Sequence, residues 1–379
     1  MLQERDYWVC WSQISGIGPI SLQRLQQQFG CLKEAWMASK IALQQVEGFG
    51  KQTVEKISQQ RSQFNPIEFI EQHAAKNPLF WTPADAEYPR LLLEIPTPPP
   101  VLYYRGIPEP QENQGITPAI AIVGTRHPTE YGRRWTRRIT TILVKHGFTI
   151  VSGMAAGIDT EAHHSCLQAG GRTIAVFGTG VDIIYPKNNQ KLSQQISQKG
   201  LIVSEYPAET PPNSRHFPAR NRIIAGLSRA IFVMEAGTKS GALITANIAN
   251  EFCRDVYVLP GRLDDLQSMG CLKLINGGAG MIPVNLEELL EQLGAIPPLD
   301  GEQPQQLSLL EPTPKPQPPI PQLEPQLAKI LAIVTSEPMP FDTIVAKSEL
   351  DTATVSSSLL QLELLSLVSQ LPGMRYQRI

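Results

Sequence analysis

Short apolar runs alternate with longer amphipathic stretches through the middle of the chain. The runs show little polar alternation, which is typical of parallel strands that helices cover on both faces. They are Ala119–Val123, Phe148–Val151, Thr173–Phe177, Leu201–Val203, Ala230–Met234 and Val256–Leu259. The sequence therefore predicts a doubly wound, Rossmann-like α/β domain with a parallel sheet over residues 118–293.

The segments before this domain follow other patterns. Residues 1–62 read as helical and contain two similar phrases, Ile14–Pro19 and Val46–Lys51, in which two glycines bracket one apolar residue. This resembles a tandem helix-hairpin-helix (SAM-like) module, whose turns present free N–H groups at helix starts. Its basic excess is small, so a packing role is favoured over DNA contact. Residues 63–117 are predicted to be a connector, in which the prolines 98–100 hold an edge segment.

A proline-rich stretch separates the α/β domain from the C-terminal residues. Ten prolines lie between residues 296 and 325, which predicts an extended linker over 294–325. Residues 326–379 show three short helical patterns and a terminal hairpin, which is compatible with a winged helix. The expected recognition helix, Asp351–Leu367, carries no Lys or Arg, so protein contact or packing is favoured over docking in a DNA groove.

Composition narrows the class of protein. The chain has 379 residues, 42% of them hydrophobic, and a formal charge of −2, so it is a globular protein in which any nucleic-acid site must be a local cluster. Five dispersed cysteines without a C-x-x-C pair indicate neither a disulfide framework nor a zinc site. No stretch has the length of a membrane span or the pattern of a signal peptide. We expect a cytoplasmic protein with no membrane partner and no metal.

Positive charge is concentrated in two stretches. From Thr125 to Thr149 six Lys and Arg residues accompany a single carboxylate, Glu130, and from Pro211 to Ala230 four arginines accompany Phe217 and no carboxylate. Guanidinium groups grip phosphate oxygens and an aromatic face stacks on a base, so the second stretch suits a single-stranded nucleic acid. A solvated helix start with Phe217 in the core is the alternative.

Glycine-rich loops follow four of the predicted strands. In an open parallel sheet, ligands bind outside the carboxyl ends of the strands, where helix N-termini direct their N–H groups. Arg126 and Lys239 supply counter-charges for an anion in these loops. The loops are Val123–Arg126, Val151–Gly153, Phe177–Gly180 and Met234–Gly241.

The residue spacing does not match the motifs that bind common nucleotide cofactors. A dinucleotide fingerprint requires a third glycine where Ile183 stands, and a Walker A loop requires glycine where Thr238 precedes its lysine. No cofactor is predicted. Asp159, His163 and His164 read as helix capping and packing. Glu235 is placed where catalysis could use a carboxylate, but a hydrogen-bonding role that holds the loop of Arg220 and Arg222 is favoured.

Taken together, these motifs resemble the DNA-processing protein A (DprA/Smf) family. The motifs are Ile122–Arg126, Val151–Asp159, Gly178–Asp182, Ser204–Pro207, Phe217–Ser228, Ser240–Ala246 and Leu259–Gly261. The resemblance implies a single-stranded DNA-binding protein without catalytic residues, which protects incoming DNA and loads the RecA recombinase during natural transformation. It also implies a homodimer.

The resemblance further implies a DNA-binding residue set. Phe217 would stack on a base, while Arg215, Arg220 and Arg222 follow the backbone. Two positions depart from the family: Thr125 replaces a frequent serine, and Met154 replaces a frequent glycine, which would narrow the second loop. The full set is Gly124, Thr125, Arg126, Ser152, Gly153, Arg215, Phe217, Arg220, Asn221, Arg222, Lys239, Ser240 and Thr245.

An enzyme is the alternative function. The sheet also resembles that of nucleotide-monophosphate phosphoribohydrolases, which combine a P-G-G-x-G-T loop with a catalytic glutamate. The corresponding stretch here, Glu235–Gly241, lacks the paired glycines and the glutamate that follows them.

Overall fold

The computed structural model describes residues 2–294, 325–335, 338–348, 350–365, 367–371 and 374–378. Contacts divide the chain into two compact units, Met1–Gly301 and Glu302–Ile379. The predicted proline-rich linker, 294–325, lies outside the described residues except for its two end residues.

The first unit begins with a helical bundle around three buried tryptophans, Trp8, Trp11 and Trp36. Glycines at positive φ make the two predicted turns, Gly16 at 88° and Gly48 at 82°. The bundle comprises α1 (Glu4–Ser12), α2 (Pro19–Phe29), α3 (Leu32–Met37), α4 (Lys40–Leu43), α5 (Lys51–Gln63) and α6 (Pro66–Lys76).

The remainder of this unit is the α/β domain. Its elements are β1 (Phe80–Trp81), α7 (Arg90–Leu93), β2 (Leu102–Gly106), α8 (Pro110–Asn113), β3 (Ala119–Val123), α9 (Glu130–Lys145), β4 (Thr149–Ser152), α10 (Ile158–Gln168), β5 (Thr173–Val176), a short 3-10 helix (Lys187–Asn189), α11 (Gln190–Lys199), β6 (Leu201–Ser204), α12 (His216–Leu227), β7 (Ala230–Val233), α13 (Gly241–Glu251), β8 (Asp255–Val258), α14 (Met269–Asn276) and α15 (Leu286–Gly294).

Within residues 2–294 the strands form one eight-stranded sheet in the order β1-β2-β6-β5-β4-β3-β7-β8. Strands β3 to β8 are parallel, and β1 and β2 add an antiparallel edge. Every residue of β3 to β7 is buried, because helices cover both faces. The predicted doubly wound sheet is confirmed. The segment predicted as a connector, residues 63–117, contains α6, β1, α7, β2 and α8.

The strand order creates a switch point between β3 and β7. From β3 the chain moves outward through β4, β5 and β6, and then α12 carries it back to β7 on the other side of β3. The loops after β3 and β7 therefore part in opposite directions and leave a crevice at the carboxyl edge, which is the usual ligand position in such sheets.

The second unit is a winged helix, as the sequence predicts. Its described strands form a three-stranded sheet in the order β10-β11-β9. Its elements are α16 (Pro325–Ile333), β9 (Met339–Pro340), α17 (Phe341–Ser348), α18 (Thr352–Leu364), β10 (Val368–Leu371) and β11 (Arg375–Arg378). None of the helices in the described ranges of either unit is long and apolar enough to cross a membrane.

Candidate nucleic-acid interface

A cleft of about 840 Å³ opens at the switch point. The loops after β3 and β7 form two of its walls, and the first turns of α12 and α13 form the others. Its lining includes eight of the predicted site residues together with Tyr185, which the sequence did not single out; the eight are Gly124, Thr125, Arg126, Phe217, Arg220, Asn221, Lys239 and Ser240. Thr245 also lines the cleft, although its side chain is almost fully buried.

Backbone hydrogen bonds fix the loop after β3. The Thr125 N–H donates to the Glu235 carbonyl oxygen at 2.7 Å, and the Thr125 carbonyl accepts from the Ile158 N–H at 3.1 Å. Glycine is required at position 124, because a Cβ there would lie 2.5 Å from the Ile158 side chain. The loop is thus tied to β7 and to α10, and it presents the exposed side chain of Arg126.

Phe217 lies at the cleft surface rather than in the core. Its ring is half-buried and lies over Gly178, where a Cβ would approach to 2.9 Å. The Arg126 guanidinium carbon is 5.8 Å from the Phe217 ring centroid. The ring of Tyr185, 44% exposed, lies 5.3 Å from Phe217. One cation and two aromatic rings therefore stand together, an arrangement that suits phosphate and base contact.

Arg220 lines the cleft, but its guanidinium is bonded within the protein, which does not favour the predicted contact with a nucleic-acid backbone. It is only 4% exposed, and its Nη1 donates to the carbonyl oxygens of Gly153, at 2.6 Å, and Val176. Burial lowers the pKa of Arg220 to about 10, although nearby Asp159 opposes that shift, so the group stays charged at neutral pH. Its role is to hold the loops after β4 and β5 in place.

The polar groups of the loop after β4, which was predicted to hold an anion, are already bonded within the protein. The Asp159 carboxylate accepts from the Gly153 N–H at 3.1 Å and from the Ala155 N–H at 3.2 Å. The Ser152 hydroxyl is fully buried and donates to the Ile122 carbonyl oxygen at 2.6 Å. A carboxylate of the protein itself therefore uses the Gly153 amide, which was expected to hold phosphate. Burial raises the pKa of Asp159, and Arg220 counteracts that rise.

Arg222 is also occupied. Its guanidinium donates to the Glu205 carboxylate, and both side chains are largely buried, which does not favour the predicted contact of Arg222 with a nucleic-acid backbone. Arg215 is exposed just before α12. Asn221 donates from Nδ2 to the Gly241 carbonyl oxygen at 3.4 Å and so links α12 to α13.

Met154 adopts a backbone conformation that favours glycine. Its φ is 61°, in the left-handed region that side chains rarely adopt. The side chain is fully buried against Phe177 and Leu192. It therefore packs below the loop, and the predicted narrowing of the second loop does not occur.

The loop after β7 contributes an exposed cation to the cleft. Lys239 is exposed and has no ion-pair partner among the described residues. Ser240 caps α13, where its Oγ accepts from the Ala242 N–H at 3.3 Å. Lys239 thus lies beside a helix N-terminus, a favourable position for an anion.

Glu235 points away from the cleft. Its Oε2 accepts from the Thr129 N–H at 2.9 Å and from the Thr129 hydroxyl at 3.3 Å, and burial raises its pKa. It therefore holds the start of α9, and not the loop of Arg220 and Arg222 as expected. It does not line the cleft, where a phosphoribohydrolase would need its catalytic carboxylate.

The Asp159 and His163 pair is structural in this geometry. The His163 ring is fully buried, with Nδ1 2.7 Å from the Thr173 hydroxyl, and burial lowers its pKa to about 3. No cluster of three or more potential metal ligands occurs in the part of the chain that the structure describes.

Comparison with known proteins identifies the family to which this chain belongs. The family model described as DNA recombination-mediator protein A matches residues 79–294, and that of the DprA winged helix domain matches residues 313–374. The chain belongs to the DprA/Smf family. Protein Smf of Synechocystis is 55% identical, over 99% of this chain and 99% of its own length. DNA processing protein DprA of Streptococcus pneumoniae is 43% identical, over 54% of this chain and 71% of its own length.

Two solved DprA structures share the fold. The crystal structure of Streptococcus pneumoniae DprA aligns with a TM-score of 0.66 at 33% identity, over 76% of this chain and 97% of that one. A structure of Helicobacter pylori DprA, described for its single-stranded DNA binding mode, aligns with a TM-score of 0.51 at 33% identity, over 57% of this chain and 97% of that one.

Proposed function

We propose that this protein is a DNA-processing protein that binds single-stranded DNA in the switch-point cleft. The observation that carries the proposal is the group formed by the exposed Arg126, the half-buried Phe217 and the exposed Lys239 around one cleft. The DprA relatives support it, because one of them is described by its single-stranded DNA binding mode.

The roles differ from one residue to the next. Arg126 and Lys239 neutralise phosphates from opposite walls of the cleft, while Phe217 and Tyr185 receive unpaired bases. Ser240 and Thr245 shape the end of the cleft at α13. Arg220, Arg222 and Asp159 contribute indirectly, because they fix the loops and helix that carry these groups. An unpaired base is needed for stacking on Phe217, which favours single strands over duplex DNA.

Substitutions at Arg126 and Phe217 test the cleft. Arg126→Ala should weaken binding to all oligonucleotide sequences alike and lower the log–log salt slope by about 0.7. Phe217→Leu should lose about 1–3 kcal/mol of binding free energy, whereas Phe217→Tyr keeps the stacking face and most of the affinity. Fluorescence anisotropy with labelled oligo-dT at several salt concentrations measures both effects.

The matched control is Arg105→Ala, which removes an exposed arginine from β2, the second strand from the far edge of the sheet. It should bind as the parent does. Parental affinity in both Arg126→Ala and Phe217→Leu would remove the physical basis of the proposed site.

The finer functional statements rest on the family alone. They are that the protein acts in the cytoplasm as a homodimer, protects incoming DNA during natural transformation and loads the RecA recombinase onto it. Sedimentation of the full chain tests the dimer. Recombinase filament assembly on DNA coated with a single-strand-binding protein tests loading, and no acceleration by this protein would contradict that role.

A further inference from the structure

A second basic surface lies outside the cleft, on helix α9. Tyr131, Arg134, Trp135 and Arg138 follow an i, i+3, i+4, i+7 pattern and therefore share one face of the helix; we name these four residues the α9 stripe. The Arg134 guanidinium carbon lies 6.0 Å from the Tyr131 ring centroid, and that of Arg138 lies 5.1 Å from Trp135. The two ring centroids are 6.4 Å apart.

The arginines of the α9 stripe are free of carboxylates, whereas their sequence neighbours are not. Arg137 pairs with Glu161 at 2.6 Å and Glu130 at 3.5 Å, and Arg133 approaches Glu161 to 3.7 Å. Arg134 and Arg138 are exposed and have no carboxylate within ion-pair distance in the described part of the chain. One helix thus carries a neutralised pair of arginines beside a pair whose charge is available to an external anion.

The stripe begins at the same sheet edge as the cleft. Helix α9 starts four residues after Arg126, and the Tyr131 hydroxyl donates to the Pro260 carbonyl oxygen at 2.9 Å. Pro260 opens the loop after β8, whose later residues Leu266 and Gln267 line the cleft. From there Arg134 and Arg138 follow one another at about 6 Å along the helix axis, and the exposed Lys145 lies on the same face further along.

We propose that the α9 stripe is a second single-stranded DNA contact, which receives the strand where it leaves the cleft. This inference rests on the proposed cleft function. Arg134 and Arg138 bind successive phosphates, and the rings of Tyr131 and Trp135 offer stacking faces once the guanidiniums turn outward. Alternation of unpaired cations and aromatic rings is the composition of single-strand platforms, and it requires no base-specific hydrogen bonds. The basic stretch Thr125–Thr149 thus contributes Arg126 to the cleft and Arg134 and Arg138 to the α9 stripe.

Oligonucleotide length separates the two contacts. An oligo-dT of about 6 nucleotides has the length that a single binding module covers, so it should occupy the cleft alone. An oligo-dT of about 16 nucleotides should also reach α9. The full-length Arg134→Ala/Arg138→Ala variant should bind the short oligomer as the parent does. It should bind the long one about tenfold more weakly, with a salt slope lower by about 1.4 for two lost phosphate contacts.

Arg133→Ala/Arg137→Ala is the charge-matched control, because it removes the same charge from the same turns of α9. It should retain parental affinity for both oligomers. If both double variants bound the long oligomer equally weakly, the loss of affinity would come from net charge alone, and the proposal would be overturned. It would also be overturned if Arg134→Ala/Arg138→Ala bound the long oligomer as the parent does. That second result would favour a protein partner in the apolar groove beside Trp135. Failure of the parent to bind the short oligomer would instead contradict the cleft function.

Discussion

The side chain of His163 lies in α10, fully buried beside β5. Its pKa in the folded protein is about 3, whereas an unfolded histidine titrates near 6.5. Between these values the unfolded state binds the proton and the folded state does not, so stability falls as the pH falls through this window. The loss from this one residue approaches about 1.4 kcal/mol per pH unit well below pH 6.5. Urea unfolding at pH 7, 6 and 5 measures it.

The variant His163→Gln isolates this contribution. It should flatten the pH dependence by that amount, while His127→Gln, at an exposed position, should leave the parental slope unchanged. A parental slope in His163→Gln would show that another group is responsible for the acid sensitivity.

Single residues show where sequence reasoning succeeds and where it stops. The pattern predicted Arg126 and Phe217 at the sheet edge, and the structure brings the two together. It assigned the same role to Arg220 and Arg222, because arginines in one segment look alike. Their difference comes from distant partners, Gly153 and Glu205, which tertiary folding alone brings within reach. Nothing in the sequence indicated that the Tyr185 ring lies beside Phe217.

The buried guanidinium of Arg220 holds helix α12 against the loops after β4 and β5. Arg220→Met keeps much of the side-chain volume but leaves the Gly153 and Val176 carbonyls without their donor and the buried Asp159 without its cation. Removal of one member of a buried charged network costs about 3–5 kcal/mol. We therefore expect a large loss in the free energy of unfolding, measured by urea titration.

Arg126→Ala is the comparison for this element, because its exposed side chain should change stability by less than about 0.5 kcal/mol. We therefore expect the two variants to separate an arginine that stabilises the fold from one that binds DNA. If Arg220→Met were as stable as the parent and lost only DNA affinity, the guanidinium would have to reach the ligand.

The elements themselves were largely predictable. Continuous β-branched and aliphatic runs specify buried parallel strands, and the ends of β3 to β8 lie within one residue of the predicted runs. The role of one loop was harder to predict than the strands. The loop after β4 has the small residues of an anion-binding loop, yet its Gly153 amide and the following Ala155 amide donate to Asp159. The sequence showed a capping residue in α10 without showing which loop it capped.

At the scale of the molecule, the α/β domain depends on the segment before it. Trp81, Tyr88, Leu92 and Ile95 belong to the same core cluster as the strands and α12. A Cβ at Gly226 in α12 would lie 2.7 Å from the Leu92 side chain, so the two elements are in close contact. The connector predicted from its prolines is therefore part of the core, because its buried aromatic and aliphatic side chains outweigh its irregular backbone.

The helical bundle is joined to this same edge. Val9 of α1 packs with Val101 and Tyr103 around β2. The Arg5 guanidinium donates to the Phe80 carbonyl oxygen at 2.8 Å and approaches Asp85 to 3.3 Å. A fragment that begins at residue 110 loses these contacts together with both edge strands.

Two fragments test this dependence. Each large apolar side chain removed from the core costs about 1.5–3 kcal/mol, so the loss of the four on the edge segment is comparable to the whole stability of about 5–15 kcal/mol. The 110–293 fragment should therefore lack a cooperative thermal transition by circular dichroism and expose apolar surface to a hydrophobic dye. The 2–294 fragment should unfold cooperatively and bind short oligo-dT as the full chain does, because the cleft lies entirely within it. A cooperative, DNA-binding 110–293 fragment would mean that the edge strands contribute little to the core, despite their burial.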